Sequence, residues 1–216
     1  MLKFDPIDAP AIALDQPNVD TDQIIPARFL WRPRADGYGE LLFNDLRTTP
    51  DGAADPAFPL NRPEASDAQL LVAGRNFGCG SSREHAVWAL LDAGMRVVVA
   101  PSFGDIFFNN ALKNGLLPIV LPEPRCHALI AALARAPGAR MQVDLESQTL
   151  TGPIGVPGPV TGPIGVNIGG GSDHFDIDPF RKRLLLSGMD DITFTLGQKP
   201  AIDAFEDRYR KDLPWL

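Results

Sequence analysis

The chain has 216 residues, 44% of them apolar, and a formal net charge of −7. That length holds one large domain or two small ones around a real core. The acidic surplus argues against nucleic acid as the main partner, no run of ~18 apolar residues offers a membrane span, and two cysteines, Cys79 and Cys126, are too few for a disulfide framework or an iron–sulfur cluster. Met1 to Asp8 carries acids and a proline where a signal peptide has a basic then apolar run, so the cytoplasm is the expected compartment.

In chain order, residues 12–14 and 23–25 are short strand candidates. Residues 48–66, rich in Pro, Asp and Ala, read as a long surface loop. From 69 to 143 strand and helix alternate. A strand at 70–74 leads to a helix at 82–93 closed by Gly94. A strand at 96–100 leads to a helix at 103–113 closed by Asn114-Gly115. A strand at 116–121 follows, then a helix at 126–134 and an alternating strand at 141–145. This is an α/β unit with a mostly parallel core. Thr151-Gly152-Pro153-Ile154-Gly155-Val156 then recurs as Thr161-Gly162-Pro163-Ile164-Gly165-Val166, and a glycine run extends to Ser172. The spacing breaks the collagen period, so an insertion of about 151–172 between two strands is expected. Beyond it, 175–177 reads as a strand. Asp178-Pro179 opens a helix over 179–186 that ends at Gly188. Residues 192–196 alternate like a strand. A last helix over 200–211 carries Ile202, Phe205 and Tyr209 on one face.

The chemistry-bearing stretch is Asn76-Phe77-Gly78-Cys79-Gly80-Ser81-Ser82-Arg83-Glu84-His85. Ser81 and Glu84 have capping-box spacing, which predicts a helix start. A glycine-rich turn feeding a helix gathers unpaired N–H groups at the positive end of the helix dipole. Arg83 adds a planar cation that grips a carboxylate with paired hydrogen bonds. The stretch suits an anion with hydroxyls beside it, though neither G-x-x-x-x-G-K-S/T nor G-x-G-x-x-G occurs. An ordinary capped helix after a tight turn is the plain alternative. In a positive field, Ser81 or Ser82 can act as an acyl nucleophile or as an alkoxide base. The lack of G-x-S-x-G counts against a hydrolase. Cys79 reads as a small buried cysteine, and His85 as a structural, hydrogen-bonding histidine. Asp20-Thr21-Asp22 is either a carboxylate pair for a metal or charge relay, or a turn before a strand. Arg28, Arg32 and Arg34, interleaved with Phe29, Leu30 and Trp31, offer a second carboxylate contact or a solvated basic loop.

Residues 18–30, reading Asn-Val-Asp-Thr-Asp-Gln-Ile-Ile-Pro-Ala-Arg-Phe-Leu, then 76–85, 100–110 and 113–118, and finally Asp178-Pro179-Phe180-Arg181-Lys182 and Asp190-Asp191-Ile192, resemble the small subunit of bacterial 3-isopropylmalate dehydratases. The G-S-S-R-E-H motif is shared more widely with the swivelling domain of aconitases. The Gly/Pro repeat departs from the family pattern. The resemblance implies an α/β, three-layer β/β/α swivelling fold with a barrel-like sheet, as one domain over 1–216. It implies a large subunit as partner in a heterodimer or heterotetramer, carrying the [4Fe-4S] cluster, and no cofactor or metal on this chain. It implies interconversion of 2-isopropylmalate and 3-isopropylmalate by dehydration and rehydration. Carried over by motif, Ser81 is the base, Asp22 is a second catalytic residue, and Ser82 and Arg83 hold a substrate carboxylate. Arg28, Arg32, Leu30 and Trp31 line the region that reads the rest of the substrate. A related dehydratase for homoaconitate or a methyl-substituted malate, or a non-catalytic dicarboxylate-binding module, are the competing readings.

Overall fold

The computed structural model describes residues 1–154 and 171–213. Strand β1 (Ile7–Leu14) is the spine of a curled seven-stranded sheet ordered β4-β3-β2-β1-β5-β6-β7. Its second half, Ala11 to Leu14, pairs in parallel with β2 (Leu70–Ala73), followed outward by β3 (Val97–Ala100) and β4 (Leu117–Val120). Its first half, Ile7 to Pro10, pairs antiparallel with β5 (Arg140–Asp144), which leads to β6 (Thr149–Thr151) and β7 (Ser172–His174). The partner changes at Pro10, whose ring has no N–H to give a ladder. One strand thus joins the parallel and antiparallel halves of the sheet, and the expected α/β fold with a barrel-like sheet is the one observed.

The parallel strands read as near-continuous apolar runs because both of their faces are covered. Leu70, Val72, Val97 and Val99 point to one core with Cys126, Leu129 and Leu133 of α5 (Glu123–Arg135), Met141 and Val143 of β5, and Phe175. Leu71, Ala73, Val98 and Ala100 point to a second core with α3 (Glu84–Asp92) and Phe107 of α4 (Asp105–Asn114). That second core also takes Val19, Ile24 and Ile25 around α1 (Thr21–Ile24), and Phe43, which precedes α2 (Asn44–Arg47).

Several sequence expectations are corrected. Residues 23–25 are not a strand. Asp20 accepts the Gln23 N–H and the Gln23 side chain accepts the Asp20 N–H, so a reciprocal cap starts α1. Residues 192–196 form helix α7 (Asp191–Gly197), because Asp190 caps Thr193 and no strand edge is offered to the alternating side chains. Among the described residues the last strand is β7, ending at His174; Phe175 still donates its N–H to Gln148 O at 3.1 Å and buries its ring in the core. Residues 48–66 contain two 3-10 turns, and Phe58 and Ala65 are buried beneath them. Strands β6 and β7, which pair with each other, flank the segment expected to be an insertion, and 155–170 fall outside the described residues. Asp178 caps α6 (Pro179–Ser187) as expected, and Gly188 closes it. The last helix, α8 (Lys199–Asp212), carries Ile202, Phe205 and Tyr209 on a face that is exposed, not packed on the core.

Gly78 shows how tightly the parallel end is built. It sits at φ +71°, and a Cβ there would lie 2.2 Å from Cγ of Phe107. Gly78→Ala should therefore cost about 2–5 kcal/mol, from overpacking plus left-handed backbone strain. Gly52 has φ +84° and open space around it, so Gly52→Ala should cost only the backbone part, about 1–2 kcal/mol. Urea unfolding of the two variants checks the difference.

Candidate active site

Three loops leave the C-terminal ends of adjacent parallel strands and lie side by side. The loop after β1 meets the loop after β2 where the Gly78 N–H donates to Val19 O (2.7 Å) and the Thr21 N–H to Cys79 O (2.9 Å). The Thr21 hydroxyl donates to Ser81 O at 2.9 Å. Asn18 and Asn76, both at positive φ, join side chain to side chain at 2.9 Å. The loop after β3 closes the other flank. Phe77 N–H donates to Ser102 O, Gly104 N–H to Phe77 O, and Asn76 N–H to the Ser102 hydroxyl. Open parallel sheets gather ligand-binding loops at this end for the same topological reason.

The predicted capping box is not formed. The N-cap of α3 is Arg83, with no side-chain capping bond, and the Glu84 carboxylate instead accepts from Asn114 Nδ2 at 2.8 Å. The hydroxyls of Ser81 and Ser82 are therefore not spent on the helix, and both residues are exposed. Next to them the Arg83 side chain is only 19% exposed. Its Nη1 pairs with Asp22 Oδ1 and reaches Ile25 O at 3.4 Å. Arg83 and then the Ala27 N–H hold the Asp22 carboxyl below its usual range, so Asp22 is an anion at neutral pH. Both Arg83 bonds use Nη1, which leaves Nη2 and Nε of the guanidinium fork without a recorded hydrogen bond.

The structure brings Asp22, Ser81, Ser82 and Arg83 together, with the 27–36 turn alongside through Ala27 and Ile25. The arginines of that turn are largely engaged. Arg28 binds Asp45 and Asn44 and lies over Phe29, and Arg34 binds Asp92 and lies over Trp88. Arg32 donates to Asp36 O at 3.1 Å. Leu30 is half-buried against the second core, whereas Trp31 is 82% exposed.

Two readings of single residues change. Cys79 is half-buried, and burial followed by the Asp20 carboxylate pushes its thiol up, away from thiolate character. His85 is held by rings, with Tyr38 edge-on at 5.5 Å and Trp88 at 4.6 Å, and burial pushes its imidazole toward the neutral form. Burial pushes the Cys126 thiol up to about 12. Among the described residues no three metal-ligating side chains converge. A cavity of about 590 Å³ between β1, α5 and the 59–65 turns shares no residue with the Ser81 loop. Thr21, buried under that loop, is the site residue that sequence reasoning left without a role; its place in the 18–30 motif was the available signal.

Residues 8–124 match the aconitase C-terminal domain family, and residues 191–216 match the family of the C-terminal domain of the 3-isopropylmalate dehydratase small subunit. Over 216 residues, and all of both chains, the sequence is 47% identical to a 3-isopropylmalate dehydratase small subunit from Paramagnetospirillum magneticum. It is 48% identical to the small subunit from Jannaschia sp., again over all of both chains. Its fold is similar to the crystal structure of a 3-isopropylmalate dehydratase from Methanocaldococcus jannaschii, with a TM-score of 0.57 and 25% identity. That match covers 93% of this chain and 99% of the other.

The free hydroxyl of Ser81 has a thermodynamic consequence. Ser81→Ala should leave unfolding stability within about 0.5 kcal/mol of wild type, as for an exposed side chain without a capping bond. Asp20→Ala, which removes a cap that is formed, should cost about 0.5–2 kcal/mol. Denaturant melts of the two variants, measured together, check both figures.

Proposed function

This chain belongs to the 3-isopropylmalate dehydratase small-subunit family, and from that premise we propose that its Gly80–Arg83 loop is one half of a shared active site. The protein is the small subunit of a hydro-lyase that interconverts 2-isopropylmalate and 3-isopropylmalate in leucine biosynthesis, acting with a large subunit. We assign it to the cytoplasm. The carrying observation is a half-buried guanidinium, oriented by Asp22 and Ile25 O, beside two adjacent exposed hydroxyls.

Each residue then has a physical role. Arg83 presents the free part of its fork to a substrate carboxylate, with the Ser82 hydroxyl beside it. Asp22, held ionised at neutral pH by Arg83 and the Ala27 N–H, orients that fork and does not itself move protons. Ser81 Oγ takes the proton from the carbon next to the carboxylate and returns it on rehydration. Arg83 and the N-terminal end of α3 supply the positive potential that favours the alkoxide. Arg28 would have to release Asp45, so Arg32 is the better second carboxylate contact. Leu30 and Trp31 supply the apolar wall for an isopropyl group.

The Lewis-acid chemistry that takes the leaving hydroxide is supplied by a [4Fe-4S] cluster on the large subunit. The sulfur of this chain does not suit such a cluster: both thiols are pushed up by burial, and Cys126 donates to Leu121 O from within the core. The large subunit also covers the exposed face at Ser81 and excludes water from it.

The reading is tested by anaerobic assay of this chain with and without its large subunit. Ser81→Ala should lower kcat by about 10²–10⁴-fold with little change in KM, because only the proton acceptor is lost. Arg83→Lys keeps the charge but loses the fork, so kcat and affinity should both fall. A folded Ser81→Ala complex that exchanges the substrate C–H proton with solvent at the wild-type rate would move the base elsewhere.

Selectivity is tested separately. Substituting Leu30 or Trp31 should change the kcat/KM ratio between branched and unbranched malates, within the ~10–200-fold that one methylene of pocket can discriminate. An unchanged ratio for both would remove the 29–32 turn from the specificity pocket.

A further inference from the structure

Among the described residues only Thr21 and Arg125 are polar or charged and buried. Arg125 is accounted for by Asp173, which its Nε and Nη2 both reach at 2.7 Å, tying α5 to β7. Thr21 is 2% exposed, and none of the steps above uses it.

Its contacts are specific. The Thr21 N–H donates to Cys79 O and the Thr21 hydroxyl to Ser81 O, each at 2.9 Å. The residue therefore grips the two carbonyls on either side of Gly80. Gly80 has φ +91°, and a Cβ there would lie 3.4 Å from Cβ of Asp20 and 3.8 Å from the Thr21 hydroxyl. A glycine at the centre of the loop leaves it free to turn unless something holds it. The holder is itself fixed. The Asp20–Gln23 reciprocal cap sets the first turn of α1, and the Thr21 carbonyl accepts the Ile25 N–H at 3.0 Å. The next residue, Asp22, grips Arg83. One turn of helix thus grips the Ser81 peptide through residue 21 and the guanidinium through residue 22.

We propose that Thr21 is a positioning residue for Ser81: its hydroxyl fixes the plane of the Ser81–Ser82 peptide and so aims the Ser81 Oγ relative to Arg83. A β-branched side chain has few χ1 choices, and burial together with the 2.9 Å bond to Ser81 O holds the Thr21 hydroxyl in one of them. The proposal rests on the reading of Ser81 as the base. In the reacting complex a misplacement of about 1 Å is felt in the rate more than in binding.

The test uses full-length chains assembled anaerobically with the large subunit. It compares wild type, Ser81→Ala, Thr21→Val, Thr21→Ala and Thr21→Ser by kcat, KM, substrate C–H exchange with solvent, and melting temperature. Thr21→Val keeps the shape and removes the donor; it should lower kcat and exchange by about 10–100-fold while KM stays within about twofold. Thr21→Ala carries the same expectation should the valine variant fail to assemble. Thr21→Ser restores the donor and should recover most of the lost kcat. Wild-type kcat per assembled complex in the valine or alanine variant, whatever its melting temperature, overturns the proposal. So does a serine variant as slow as the valine one, since packing and not the hydroxyl would then matter. Wild-type exchange in Ser81→Ala overturns the reading of Ser81 and this proposal with it. A slow Ser81→Ala beside unimpaired Thr21→Val and Thr21→Ala overturns the role of Thr21 alone.

Discussion

The contact that organises this molecule is the seam between residues 18–22 and 76–83. It consists of backbone bonds from Gly78 and Thr21, the Asn18–Asn76 side-chain pair, the Thr21–Ser81 bond and the Asp22–Arg83 ion pair. Regular pairing across the seam amounts to one isolated parallel bridge, Asp20 to Cys79, so the other polar groups there need named partners. The requirement is met: no buried side-chain nitrogen or oxygen among the described residues lacks one. The seam exists because β1 and β2 are parallel neighbours, which brings the loops from their C-terminal ends together.

The same topology explains why the site is open. The Ser81 and Ser82 residues stand exposed on the loop edge, above two cores that end at the strand tips. The proposed role of Ser81 as a base requires a second surface that excludes solvent, because an exposed serine cannot keep an alkoxide in water. Among the described residues, the Asp22–Arg83 pair costs little to keep ready at such an edge, because its carboxylate remains hydrated. The exposed apolar side chains of α7 and α8 fit a protein that is not complete alone, in keeping with its family of small subunits.

Much of the parallel half was legible. Leu70, Val97 and Leu117 start short apolar runs of strand length bounded by turn residues, and Gly115 and Gly188 closed helices at the residues expected. The misreadings share one cause. Gln23 to Ile25 and Ile192 to Leu196 have β-rich composition, but a cap from Asp20 or Asp190 decided for helix. Ser81 and Glu84 had the spacing of a cap, yet Glu84 is drawn to Asn114 on α4, 30 residues away. Spacing shows which bonds are possible, and a distant competitor selects among them.

The sequence by itself determined the elements with strong periodicity, the chemical character of the 76–85 stretch and, through its motifs, the family. Those properties depend on residue type and near neighbours, which the chain carries in one dimension. Tertiary structure alone decided that Thr21 lies under Ser81, that Asp22 faces Arg83 and that Arg28 is occupied by Asp45. Each joins residues that are 17 to 61 positions apart, or sits where three loops converge. Such contacts are set by which strands lie side by side, and strand order is a property of the folded sheet.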